Sequence, residues 1–154
     1  MEIYKDLTNP ASKEFEKLLN SQLSKAQIEE GKIVEGKIPC YKIDESEDCL
    51  AFLDINPNSV GHTLCIPKKE VDLIFDLDQD LYQDLMNFSK KIATALKKAV
   101  PCERIGMSVI GLEVPHAHVH LIPINSMKDV SFKNKVKLET KDFETLVDQI
   151  KSFL

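Results

Sequence analysis

The chain has 154 residues, 43% of them hydrophobic and 29% charged, and its net charge is −5. This length can bury one substantial core but leaves little room for a second independent domain. The acidic balance argues against a dedicated nucleic-acid surface, because contacts to a phosphate backbone need a basic footprint. The apolar runs are shorter than the roughly 20 residues of a membrane span, residues 1–6 are too polar for a signal peptide, and the scattered cysteines favour buried thiols. We therefore predict a cytoplasmic protein.

The first half of the chain predicts one helix and three strands. Asn9 and Pro10 suit the cap and first turn of an N-terminal helix that ends by Gly31. Three apolar stretches, near residues 40–43, 49–54 and 62–67, have the pattern of strands. We predict that residues 1–31 are a helical N-terminal extension and that residues 32–154 form the main domain.

The second half predicts a long helix, two more core strands and a closing helix. The long amphipathic helix runs from Asp78 to Val100, where Pro101 ends it. Strands follow at 104–110 and 116–124, and a C-terminal strand and helix are expected within 126–154. Short loops with one long helical connection favour an α+β fold, with an antiparallel five-stranded sheet, one long helix and one C-terminal helix.

Lysines alternate with apolar or amide residues near the C-terminus. Lys133, Lys135 and Lys137 are each separated by one residue. This alternation indicates a charged face or a protected strand edge rather than a binding patch.

Three of the four histidines alternate within residues 116–124. In a strand, His116, His118 and His120 would share one face, while Ala117 and Val119 would face the core. Burying three imidazoles together is costly unless each finds a partner. The row is therefore predicted to be a functional site.

Two chemistries use such a row of histidines. Neutral imidazole is a common metal ligand, so a three-histidine metalloenzyme is one reading. In the other, one imidazole attacks phosphorus while its neighbours orient it and bind the phosphoryl oxygens. The residues of the row alone leave both readings open.

The segment His116–Ile122 resembles the motif His-φ-His-φ-His-φ-φ, with φ apolar, of the histidine triad family of nucleotide hydrolases and transferases. Residues 32–39, 49–57 and 61–69 are similar to further blocks of that family, in the same order and spacing. The resemblance covers about residues 32–125. It implies the histidine triad fold, a homodimer and a purine nucleotide substrate.

The resemblance also implies a role for each histidine. His118 would be the nucleophile that attacks the α-phosphate, and His116 would orient it, partly through its backbone carbonyl. His120 would contact phosphate oxygens, and His62 would join it there. All four histidines of the chain would then lie in one site.

The resemblance implies three more site residues, and a fourth candidate lies where the chain departs from the family pattern. Asp54 would accept hydrogen bonds from the ribose hydroxyls, and Phe52 and Ile55 would pack near the base. Many family members carry Asn-x-Gly, then a Gly-rich loop that ends in Gln or Ser before the first histidine. Residues 109–115 are shorter and lack that amide or hydroxyl. Glu113 either makes the leaving-group contact, if it is protonated, or points to solvent.

A hydrolase is the branch of the family that this chain resembles. Transferases carry Gln at the position of His120, and zinc-binding members carry a Cys-x-x-Cys that this chain lacks. The resemblance thus implies no metal or cofactor. It predicts cleavage of purine nucleoside phosphoramidates, or related nucleotide conjugates, through a covalent intermediate on His118. The alternative is a nucleotide-binding regulatory protein with weak catalysis.

Overall fold

The computed structural model describes residues 33, 34, 36 and 39–154. The predicted N-terminal helix, with its cap at Asn9 and Pro10, lies outside the described residues. Five strands form one sheet, and two α-helices pack against it. The strands are β1 (Lys42–Glu45), β2 (Cys49–Leu53), β3 (Thr63–Pro67), β4 (Arg104–Ser108) and β5 (Val119–Ile124).

All neighbouring strands are antiparallel, and their order across the sheet is β1-β2-β3-β5-β4. The long helix α1 (Gln79–Ala99) connects β3 to β4, and the last helix α2 (Thr140–Lys151) packs against α1 and β1. The predicted α+β fold is confirmed. Neither helix in the described part of the chain has the length and apolar content that crossing a membrane requires.

The long helix begins and ends as the sequence predicts. The side chain of Asp78 caps it by accepting a hydrogen bond from the backbone N–H of Leu81 at 2.9 Å. Buried residues on one face of the helix, among them Leu85, Ile92 and Leu96, meet the sheet. Pro101 follows the helix end and cannot donate the next helical hydrogen bond.

Alternation along the strands gives the sheet two different faces. Cys49, Ala51 and Leu53 of β2 contribute to the main core under the helices, whereas Leu50 and Phe52 belong to a smaller apolar cluster. Pairing places Phe52 opposite Leu64 of β3, and Leu64 opposite His120 of β5. The third histidine of the row therefore lies on the face that the main core does not occupy.

Two predicted strands differ in the structure. The strand expected over 116–124 begins at Val119, because His116 and Ala117 bond to Pro67 and Val71 in irregular backbone. The C-terminal strand expected after residue 126 is absent from the described residues, where a short 3-10 helix spans Met127–Val130.

The alternating lysines lie in the segment that follows this 3-10 helix. The backbone N–H of Val136 donates to Pro57 O at 2.9 Å, so the segment docks on the turn between β2 and β3 rather than on a strand edge. The strand-edge alternative is therefore wrong, whereas Lys133, Lys135 and Lys137 are all exposed, as the charged-face alternative predicts.

Candidate active site

A cavity of about 440 Å³ opens on the face of the sheet that carries His120. We call it the histidine pocket. The described residues that line it come from five parts of the chain: Asp54, Asn56, Leu64, Ile110, Gly111, Leu112, Glu113, Val114, His118, His120, Phe132 and Lys135.

His118 is held by a backbone carbonyl. Its Nδ1 lies 2.7 Å from His116 O, and because a carbonyl oxygen can only accept, Nδ1 carries the proton and donates. In the neutral ring the lone pair is therefore on Nε2. Burial lowers the pKa of His118 below its ordinary 6.5, so the ring is neutral at physiological pH.

His62 and His120 form a hydrogen-bonded chain. The backbone N–H of Asn58 donates to His62 Nδ1 at 3.0 Å, which leaves the proton of His62 on Nε2. That nitrogen lies 3.0 Å from His120 Nδ1 and donates to it, so neutral His120 carries its own proton on Nε2. His120 is thereby prepared as a hydrogen-bond donor, while His118 is prepared as a lone-pair donor.

Burial keeps this chain of histidines neutral. Desolvation lowers the pKa of His120 to about 3, and the charges of His118 and Lys135 act in the same direction. Desolvation also lowers the pKa of His62 well below 6.5, with smaller contributions from His120, Lys135 and His118. Asp54 Oδ2 lies 3.6 Å from His62 Nε2, but with His62 neutral this contact is not an ion pair.

These shifts make stability depend on pH. The three histidines have a lower pKa folded than unfolded, so their contribution is fully present above about pH 6.5 and is lost as the pH falls toward the folded values. We expect each of the three histidines to lower the free energy of unfolding by up to about 1.4 kcal/mol per pH unit in that window. Urea unfolding between about pH 7.5 and 5.5 measures this slope, and His120→Asn should reduce it.

A stability that does not change over this range would contradict the buried neutral state of the histidines. Glu45, whose pKa is lowered from 4.5 by hydrogen bonds from Lys68 and Lys42, titrates below the window.

His116 differs from the other histidines. Its Nε2 donates to Pro67 O at 2.7 Å, and its side chain is buried but is not among the described residues that line the pocket. Its contact with His118 is made by its carbonyl oxygen rather than by its ring.

One set of residues has the composition of a metal site. The ligand atoms of Asp54, His62 and His120 all lie within 4.8 Å of one another, and all three residues are buried. This set shares only His120 with the alternating row and takes His62 and Asp54 from elsewhere in the chain. The hydrogen bond between His62 Nε2 and His120 Nδ1 occupies one nitrogen of each ring.

Comparison with known proteins assigns the family. Residues 35–127 match the family model described as the HIT domain. The chain belongs to the HIT family. An uncharacterized HIT-like protein of Borreliella burgdorferi is 38% identical over 122 residues, which are 73% of this chain and 88% of that protein.

Two further HIT proteins extend the comparison. An adenosine 5′-monophosphoramidase of Saccharomyces cerevisiae is 36% identical over 87 residues, covering 56% of this chain and 55% of that protein. The crystal structure of a Hit-like protein involved in cell-cycle regulation from Bartonella henselae superimposes with a TM-score of 0.71 at 30% identity, covering 80% of this chain and 92% of that chain.

The HIT fold brings together most of the site residues that the sequence singled out. His118, His120, Asp54 and Glu113 line the pocket, and His62 lies directly behind His120. Phe52 lies on the pocket's face of the sheet, in the small apolar cluster, but is not one of the described lining residues. Ile55 packs against the main core.

Sequence reasoning missed three residues of this HIT site. Asn58 fixes the proton of His62, and Phe132 and Lys135 form part of the wall. Asn58 is one residue beyond the second family block, residues 49–57, so its position in the sequence could have marked it as a site residue. Phe132 and Lys135 carry no such sequence signal, because a long-range contact brings their segment to the pocket.

Proposed function

We propose that this chain is a nucleotide hydrolase that cleaves purine nucleoside phosphoramidates, or related nucleotide conjugates, at the α-phosphate through a covalent His118 intermediate. The observation that carries the proposal is the 2.7 Å hydrogen bond from His118 Nδ1 to His116 O. It directs the lone pair to Nε2 of a neutral imidazole at the pocket wall, which is the state that a nucleophile needs. The name of the yeast relative, an adenosine 5′-monophosphoramidase, supports the substrate class.

The chemistry has two steps. His118 Nε2 forms a bond to the α-phosphorus as the bond to the amine breaks, and the amine takes up a proton from solvent water, which the attacking water of the second step returns to solvent. The phosphorylated ring gains positive charge, which the carbonyl of His116 stabilises at Nδ1. Water then attacks phosphorus, which releases the nucleoside monophosphate and restores His118. His120, with its proton on Nε2, donates to a phosphoryl oxygen in both steps.

A panel of substrates tests the proposal. Adenosine and guanosine 5′-phosphoramidates, dinucleoside polyphosphates and nucleotide sugars are incubated with the purified chain, and the products are measured by liquid chromatography and mass spectrometry. We expect the phosphoramidates to yield the nucleoside monophosphate and free amine fastest. Binding of nucleotides without turnover of any conjugate would contradict the hydrolase.

The second candidate is a nucleotide-binding regulatory protein with weak catalysis. It is favoured by the segment 109–115, which lines part of the pocket without the amide or hydroxyl that many family members place before the first histidine. Glu113 is the lining carboxyl group in this segment. The relative from Bartonella henselae, involved in cell-cycle regulation, agrees with this candidate. The same panel separates the two functions.

Asp54 is proposed to bind the ribose. It is 7% exposed at the pocket wall, and its Oδ1 accepts from the backbone N–H of Asn56 at 2.9 Å, which orients the carboxylate. A carboxylate can accept further hydrogen bonds from both hydroxyls of a ribose.

We expect Asp54→Asn to weaken AMP binding about 10- to 100-fold, as the loss of charge-assisted hydrogen bonds implies. The loss for 2′-deoxy-AMP should be smaller, because one of the two hydroxyls is absent. Titration calorimetry measures both ligands, and Asp48→Asn, on an exposed turn, is the matched control. Equal losses for the two sugars would mean that Asp54 does not read the ribose.

The proposed assembly is a homodimer formed through β4. This strand is an edge of the sheet and is followed in the chain by a segment with exposed apolar side chains. Met107 is 52% exposed and Leu112 is 89% exposed. Unpaired edge backbone beside an apolar surface favours pairing with a second copy.

Light scattering coupled to gel filtration tests the dimer. We expect the wild type to have twice the mass of the chain and Met107→Glu to shift toward the monomer, because a buried charge at the interface is costly. Phe75→Glu is the matched control, since Phe75 is 87% exposed outside the sheet. A wild-type protein with the mass of one chain would contradict the proposal.

The proposed location is the cytoplasm, where reducing conditions suit free thiols. Cys40, Cys49, Cys65 and Cys102 are all unpaired.

A further inference from the structure

The histidine pocket has few positive charges for a ligand that carries phosphate. His118 and His120 are neutral because burial lowers their pKa values. Asp54 and Glu113 contribute carboxylates to the wall, and Lys135 is the one described lining residue with a permanent positive charge. Among the described lining residues, Lys135 is thus the counter-charge available to a phosphate in this pocket.

Lys135 is held in place by a neighbouring turn. Its Nζ donates to Asn58 Oδ1 at 2.8 Å, and the next residue, Val136, donates its backbone N–H to Pro57 O at 2.9 Å. Asn58 is 3% exposed, and its Nδ2 donates to Asp129 O at 3.1 Å. Two side-chain bonds and one backbone bond thus clamp this part of the chain to the turn between β2 and β3.

The ammonium group keeps donors for a ligand. An ammonium has three N–H donors, and the bond to Asn58 uses one of them. The described residues contain no carboxylate that forms an ion pair with Lys135. Its Nζ lies 5.0 Å from the centroid of the Phe132 ring, which supports a cation without neutralising it.

Lys135 is also next to the groups proposed to act on phosphate. The Phe132 ring beneath its ammonium lies 4.9 Å from the His120 ring, centroid to centroid. Asn58, which accepts from Lys135, donates its backbone N–H to His62 and so begins the hydrogen-bonded chain that ends at His120. The positive charge of Lys135 lowers the pKa values of both histidines, which agrees with this proximity.

We propose that Lys135 binds the phosphate of the nucleotide, with Asn58 as its positioning residue. This inference rests on the proposed function. Lys135 lies in the C-terminal segment. It supplies a hydrogen-bond donor for phosphate that the shortened segment 109–115 does not provide. It also makes the pocket selective for nucleotides over nucleosides, because a nucleoside has no charge to offer the ammonium group.

The test compares a charged with an uncharged ligand on matched variants. Binding of AMP and of adenosine is measured by titration calorimetry for the wild type, Lys135→Met, Lys135→Arg and Lys133→Met. Methionine keeps the length of the side chain and removes the charge, and arginine restores the charge. Lys133 is exposed two residues away and is not among the lining residues, so Lys133→Met controls for net charge.

We expect Lys135→Met to weaken AMP about 10- to 100-fold, the range for charge-assisted hydrogen bonds, and to leave adenosine within about twofold. Lys135→Arg should recover most of the AMP affinity, and Lys133→Met should resemble the wild type. Raising the salt concentration should weaken AMP binding to the wild type more than to Lys135→Met, because screening acts on the charge that the variant lacks.

Each contrary outcome identifies what fails. Equal losses for AMP and adenosine in Lys135→Met would show that Lys135 only clamps the segment and would overturn the inference. Unchanged AMP affinity in that variant would also overturn it while leaving the proposed function intact. A wild-type chain that binds neither ligand would overturn the proposed function itself, and the inference with it.

Discussion

Replacing His118 by asparagine should lower kcat/KM for a nucleoside phosphoramidate by about 10⁴-fold or more, the loss typical of a removed covalent nucleophile. Asparagine has a similar size and can still bond to His116 O, but it has no ring nitrogen to attack phosphorus. Nucleotide binding should therefore be retained. Rapid quenching with labelled substrate should trap label on the wild type alone.

His116→Gln is the matched control for this prediction. The contact that orients His118 comes from the backbone carbonyl of residue 116, which the substitution keeps. Its ring bonds to Pro67 O, so we expect a loss of at most about 100-fold, the cost of a lost buried hydrogen bond. If His118→Asn kept a tenth of the activity, or if the two variants lost the same amount, His118 would not be the nucleophile.

Gly61→Ala should reduce the free energy of unfolding by about 2–5 kcal/mol, through backbone strain and overpacking together. Gly61 has φ +93, a region that L side chains rarely adopt. A Cβ there would lie 2.9 Å from Val100 Cγ2 and 3.2 Å from Pro123 Cγ, so the joint between the sheet and the end of α1 must shift. Urea unfolding measures the change.

Gly111→Ala separates the two costs. Gly111 has φ +72, but a Cβ at this position would meet nothing within 4 Å. Gly111→Ala should therefore reduce the free energy of unfolding by the backbone strain alone, about 1–2 kcal/mol. Equal losses in the two variants would show that the contacts around Gly61 carry no cost. Because Gly61 immediately precedes His62, its variant should also weaken nucleotide binding.

The sequence predicted the secondary structure of the core well because local patterns determine it. Helix α1 was expected from Asp78 to Val100 and spans Gln79–Ala99, with Asp78 as its cap. Its periodic apolar residues and the following proline are local signals. The strand expected at His116 begins instead at Val119, because Pro67 and Val71, distant in sequence, bond to the residues before it.

The nucleophile candidate and the family could be inferred from the sequence alone, because a motif of alternating histidines is local and carries its chemistry in the residue types. Tertiary structure decided which nitrogen of each ring carries the proton. The backbone N–H of Asn58 sets the tautomer of His62, and the bond from His62 to His120, 58 positions apart, sets that of His120. The charge of the pocket was decided in the same way. Lys135 has the alternating pattern of a solvated surface, and only its bond to Asn58, 77 positions away, brings it to the wall. Local sequence encodes which groups are available, whereas hydrogen-bond partners and electric fields come from chain segments that only the fold brings into contact.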